Sequence, residues 1–158
     1  MDLDTQSRAL GAGLIDQFSS ADISGLFAGT TVMTMDGEMP VDHLTVGDRI
    51  ITRDTGVAVL RDVRVTEVEV MAVRVKAGSL GHSRPDEDMI LPPGAMVHIR
   101  DWRAEAMFGS KSALVPVRRL IDGEFIAEGE KKMVRVYDLV FDQQHILYAN
   151  GLEVASAG

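Results

Sequence analysis

Along most of this chain apolar residues alternate with polar ones or fall in short runs, and turn residues separate the runs. Val57, Val59, Arg61, Val63 and Val65 share one side of an alternating stretch, which predicts a long strand or hairpin arm. Val73 and Val75 continue it. Ala95, Val97 and Ile99 alternate with Met96, His98 and Arg100, and residues 133–141 and 145–149 are the last strong runs. Asp36-Gly37, Asp122-Gly123 and Asn150-Gly151 are expected as turns between antiparallel strands, because glycine there admits a positive φ. Asn150-Gly151 reads as a tight type I′ hairpin. A polar stretch at 78–87 and the triplet Pro92-Pro93-Gly94 are further breaks. Many short strands at near-regular spacing predict an all-β fold.

The start of the chain has a different texture. Leu10, Leu14 and Phe18 recur at helical spacing, while Gly11 and Gly13 weaken the helix. The pattern predicts a short amphipathic helix at about 5–18 and a connector after it. Residues 1–24 are thus an N-terminal helical appendage, and 25–158 a β domain. Leu10, Leu14 and Phe18 are expected to dock on the β domain, on a second copy, or on a protein partner.

Composition narrows the function classes. A chain of 158 residues fits one domain, and 46% hydrophobic residues suffice for a core. A net charge of −8 argues against binding nucleic acid or an anionic membrane surface. No window approaches a membrane span, and the acidic Met1-Asp2-Leu3-Asp4 start lacks the features of a Sec signal. A soluble protein is expected, cytoplasmic or exported by another route. Without cysteine there is no disulfide, thiolate metal site or cysteine nucleophile. The four histidines lack metal-ligand spacing, and Asp86-Glu87-Asp88 lacks the glycine-spaced pattern of a calcium loop. No metal and no cofactor is expected. His43 and His82 are expected to face solvent, and His98 to lie on a solvated strand face.

Periodicity stops at an all-β domain; motifs go further. Phe27-Ala28-Gly29-Thr30 precedes Thr34-Met35-Asp36-Gly37-Glu38. Residues 41–50 read VDHLTVGDRI, with a glycine-aspartate pair near the end. Leu114-Val115-Pro116-Val117 and Leu120-Ile121-Asp122-Gly123 follow, and residues 139–152 read LVFDQQHILYANGL. In this order the blocks resemble the Hint domain family, the autoprocessing module shared by inteins and Hedgehog C-terminal regions, and are most similar to a bacterial subgroup. The resemblance covers about residues 25–156. It implies a flat horseshoe of short antiparallel strands. It also implies a mechanism: a first-position cysteine attacks the preceding carbonyl, a middle-block histidine protonates the leaving amide nitrogen, and groups in the last block assist the next transfer.

Carried over residue by residue, the resemblance implies that this chemistry is lost. Ala28-Gly29-Thr30 places Gly25 at the nucleophile position. The run ending in Pro92-Pro93-Gly94 places Gly94 at the middle histidine. Gln144, two residues after Asp142, takes the place of the last histidine. His98 is about 13 Å from Gly94 along an extended strand, and His145 should point to the opposite face from Gln144. Gly25, Gly94 and Gln144 are expected to converge around an inactive site, in a module retained for structure or binding. A second reading keeps an active self-cleaving domain, with Ser24 as nucleophile of an N-to-O acyl shift and His145 and Asp142 as helpers. A third is an unrelated all-β binding domain.

Overall fold

The computed structural model describes residues 22–157, so the helix read at 5–18 and its docking residues lie outside the described part. Twelve strands follow in chain order. They are β1 (Leu26–Phe27), β2 (Thr31–Thr34), β3 (Gly37–Pro40), β4 (Arg49–Thr52), β5 (Gly56–Val59) and β6 (Asp62–Val75). Then come β7 (Met89–Leu91), β8 (Met96–Ile99), β9 (Ala113–Pro116), β10 (Ile126–Val140), β11 (Ile146–Ala149) and β12 (Leu152–Ala155). One sheet runs β1-β10-β6-β7; the other runs β3-β2-β4-β11-β12-β8-β9, with β5 added beside β4. All these strand pairs are antiparallel, and no described helix is long and apolar enough to cross a membrane.

The two longest strands, β6 and β10, pair from Ile126↔Val75 to Val140↔Asp62, with one irregularity between Glu128 and Lys131. The alternating run at 57–65 does not form one strand. It breaks at Leu60, which is fully buried and donates its N–H to Asp48, while Arg61 donates to Val140. The chain changes sheets there: β5 belongs to one and β6 to the other.

Asn150 and Gly151 have φ of 48° and 81° and join β11 to β12, as a type I′ hairpin requires. At the first turn, Met35 and Asp36 are the loop residues, and Gly37 already pairs with Thr34. Asp122-Gly123 departs from expectation because no strand runs into it. It follows a 3-10 turn at Val117–Leu120, and the Asp122 carboxylate accepts the N–H groups of Glu124, Phe125 and Ile126 to start β10. A short helix, α1 (Trp102–Phe108), was also not foreseen. Asp101 caps it by accepting the Arg103 N–H, and left-handed Gly109 ends it.

The main core gathers Ile50, Leu60, Leu91, Ile99, Ile126 and Leu152, all fully buried. As the alternation predicts, Ala95, Val97 and Ile99 face it. A smaller cluster of Phe27, Val70, Ala72 and Val136 gathers on β1, β6 and β10, with Ile23 packed against it. That cluster ties the segment before β1 to the long β6–β10 arm.

Candidate functional site

The pairing of β1 with β10, Leu26↔Tyr137 and Phe27↔Val136, sets Gly25 against the end of the arm. Gly25 has φ of +106°, a conformation that side chains rarely adopt. An ideal Cβ there would stand 2.7 Å from Val136 Cγ1, 2.8 Å from Asp138 Oδ1 and 2.9 Å from the Tyr137 carbonyl oxygen. These distances are too short for any side chain on the present backbone.

Gly94 approaches the same segment from the loop between β7 and β8. Its N–H donates to the Ile23 carbonyl at 2.7 Å. A Cβ on Gly94 would lie 2.5 Å from the Asp22 carbonyl carbon and oxygen, and 2.8 Å from the Ile23 oxygen. Gln144 stands further back. Its side-chain amide donates to the Ser156 carbonyl at 3.3 Å. Ser156 in turn lines a narrow cleft of about 20 Å³ together with Ser24, Gly25 and Asp138. That volume holds about one water. Gly94 thus meets the residues immediately before Gly25, and Gln144 reaches the far wall of the cleft through Ser156.

Asp138 is a residue that sequence reading missed. Burial pushes its carboxyl above the ordinary range, against the opposing charge of Arg64. A signal was present: in the alternation Val134, Val136, Asp138, Val140, an acid occupies an apolar-face position. This carboxyl, which holds its proton more tightly than usual, lines the same cleft as Ser24 and Ser156.

The other candidates are engaged elsewhere. His145 is buried, and its Nδ1 lies 2.9 Å from Asp54 Oδ2 and 3.2 Å from Thr55 Oγ1. Its ring meets Phe141 edge-on. Burial raises the Asp54 carboxyl, but the Ile146 N–H and His145 outweigh that and leave it lowered. His145 reaches the cleft wall through its backbone: its N–H donates to Ser156 Oγ at 2.9 Å, and its carbonyl accepts the Ser156 N–H at 2.8 Å. Asp142 is exposed and forms a bidentate pair with Arg61. His43 and His82 are exposed, as expected.

His98 is not on a solvated face. β8 neighbours β12, and there the buried Glu153 accepts from His98 Nδ1 at 2.7 Å. Glu153 also accepts from Arg53 at 3.1 Å and from Arg100 at 3.2 and 2.7 Å. Burial pushes this carboxyl up, yet its bonds to His98 and Arg100 and the Arg53 charge hold it below the ordinary range. The cluster ties together β8, β12 and the turn after β4. Among the described residues no three metal-ligating side chains converge.

The Hint domain family matches residues 24–157. No curated protein matches the sequence. Among solved structures, the chain is similar to a bacterial intein-like domain from Clostridium thermocellum. The two share 16% identity over 86% of this chain and 99% of that one, with a TM-score of 0.57. It is also similar to the AceL NrdHF class 3 split intein, at 10% identity over 86% and 99% of the two chains and a TM-score of 0.56. The MchDnaB-1 intein matches at 12% identity over 85% and 100%, with a TM-score of 0.55. These likenesses speak for the fold, an all-β horseshoe of antiparallel strands.

Proposed function

This chain belongs to the Hint domain family, and from that premise we propose that it is a Hint module that does not process itself and is retained for structure or binding. The family match removes the reading of an unrelated all-β domain. One observation carries the inert reading. At both Gly25 and Gly94, the position of a Cβ is already taken by neighbouring atoms within 3.0 Å. The places where the family resemblance puts a nucleophile and an acid therefore lack reactive groups and also lack the room to hold them. Any surviving role lies in what the folded domain holds or contacts.

A second reading has its own support in the bond from Gly94 N–H to the Ile23 carbonyl oxygen. Such a donor stabilises the negative charge that develops when a nucleophile attacks that carbonyl. Ser24 Oγ would add to the Ile23 carbonyl carbon, and the Ile23–Ser24 C–N bond would break. The Ser24 hydroxyl proton would end on the freed nitrogen, relayed by Asp138 from the same cleft, and an Ile23 ester on Ser24 would result. Water would then release residues 1–23. His145 supports this poorly, because its Nδ1 is committed to Asp54 and Thr55. The test is the intact mass of the full chain after prolonged incubation at neutral pH. The expected mass is that of all 158 residues. A product beginning at Ser24 overturns the inert reading and establishes the serine one.

A further inference from the structure

We propose that Arg53 and Arg100, both held by the buried Glu153, form a binding site for a carboxylate borne by a small ligand or by a peptide. Three donors meet at one oxygen. Glu153 Oε1 accepts from Arg53 Nε at 3.1 Å, from Arg100 Nε at 3.2 Å and from His98 Nδ1 at 2.7 Å. Arg100 Nη2 reaches Oε2 at 2.7 Å. The Nε atoms of Arg53 and Arg100 therefore stand no further apart than those two bonds together allow. Two like charges so close repel each other, and the shared carboxylate is what holds them. It neutralises one guanidinium and leaves the other. The cluster carries one net positive charge with His98 neutral, and two with His98 protonated.

The carboxylate that holds the pair is inaccessible, whereas the arginines are open. The Glu153 side chain is 3% exposed, and those of Arg53 and Arg100 are 35% and 31% exposed. Arg100 spends its Nε–Nη2 edge on Glu153, which leaves Nη1. Arg53 spends only Nε, so both of its terminal nitrogens lack a partner among the described residues. Asp54, next in the chain, turns its carboxylate to His145 and to the Ile146 N–H instead. A planar guanidinium fork suits a carboxylate in the bidentate geometry that Glu153 itself adopts on Arg100. Guanidiniums already fixed by Glu153 lose little freedom when a ligand arrives. Charge favours a carboxylate over a phosphate. One negative charge matches the one excess positive charge, whereas a phosphate dianion exceeds it in a chain already at −8. Neither arginine, nor His98 or Glu153, lines the cleft beside Ser24, so the site is independent of whether that serine reacts.

Titration of the isotope-labelled full chain with sodium acetate near neutral pH tests the site, read from the arginine Nε–H signals in nuclear magnetic resonance spectra. Sodium chloride at matched ionic strength is the control. The Arg53 and Arg100 signals should shift and saturate with acetate, at a concentration on the order of millimolar for a ligand of so few atoms, and should not saturate with chloride. Arg53→Gln should weaken acetate binding at least several-fold, as followed at Arg100. Arg61→Gln, which removes an exposed pair with Asp142, should leave binding unchanged. A capped tripeptide with one central glutamate identifies the source. If it binds more tightly than acetate, a protein partner supplies the carboxylate; if it binds equally or more weakly, a small free ligand does. Should Arg53→Gln fail to fold, the comparison of acetate with chloride on the unaltered protein decides alone. Equal responses to acetate and chloride, acetate binding that survives Arg53→Gln undiminished, or tighter binding of inorganic phosphate than of acetate overturns the proposal.

Discussion

The Gly94 N–H and the Ile23 carbonyl oxygen meet at 2.7 Å, and the contact that joins them leaves no space for a Cβ on Gly94. A backbone bond has taken the place that a side chain would need. Gly94→Ala should therefore act as overpacking against backbone, which cannot rotate away as a side chain can. A loss of about 1–3 kcal/mol is expected, seen as a lower midpoint in urea unfolding. Gly25→Ala should cost at least as much, since the positive φ adds to the overlap. A neutral Gly94→Ala would show that the segment at Asp22–Ile23 yields freely.

Asp138 provides a pH signature. Burial raises its folded carboxyl above the reference of 3.8. The unfolded chain thus loses its proton first as pH rises, and the residue's contribution to stability falls between 3.8 and the raised folded value. Asp138→Asn removes that dependence. It should be more stable than the parent at pH 7, with the difference vanishing below the unfolded pKa. Thermal unfolding at both pH values checks it. A variant less stable at pH 7 means that the charged form is favourably held in the cleft.

Glu153 has the opposite sign. Its folded carboxyl lies below 4.5, so its contribution is present above the unfolded value and is lost as pH falls through the folded one. Glu153→Gln leaves Arg53, Arg100 and His98 facing a neutral amide. Breaking a buried ion cluster by removing one partner costs about 3 kcal/mol, which lowers the Tm by about 6–12 °C for a domain of this size. The loss should shrink at acid pH. A loss that does not change with pH assigns the effect to packing rather than charge.

These residues also show what the sequence could and could not display. The hairpin at Asn150-Gly151 and the inward face of Ala95, Val97 and Ile99 were legible, because each depends on local φ and two-residue alternation. The break at Leu60 was not, since it depends on bonds to Asp48 and to the distant Val140. His98 looked solvated because its own strand says nothing of Glu153 on the neighbouring strand. Asp122-Gly123 carried a turn signal, but what preceded it was a 3-10 turn. At the site, the motifs identified Gly25, Gly94 and Gln144 as positions to compare, yet motifs carry no information about free volume. That Gly25 and Gly94 are walled in by Val136, Asp138 and the Asp22 carbonyl could be read only from three-dimensional contacts.

In an inert module no acyl shift occurs at the segment before Gly25. Hydroxylamine gives the most direct test, because it cleaves an ester and traps even a small population of one as it forms. The full chain and its Ser24→Ala variant are incubated with and without the reagent, and intact masses are followed over days. Cleavage at Asn150-Gly151, to which hydroxylamine is also prone, is recognised by its different fragment masses. Neither protein should yield a fragment ending at Ile23 under any condition. A hydroxamate of residues 1–23 that appears in the parent and is absent in Ser24→Ala would contradict the inert reading.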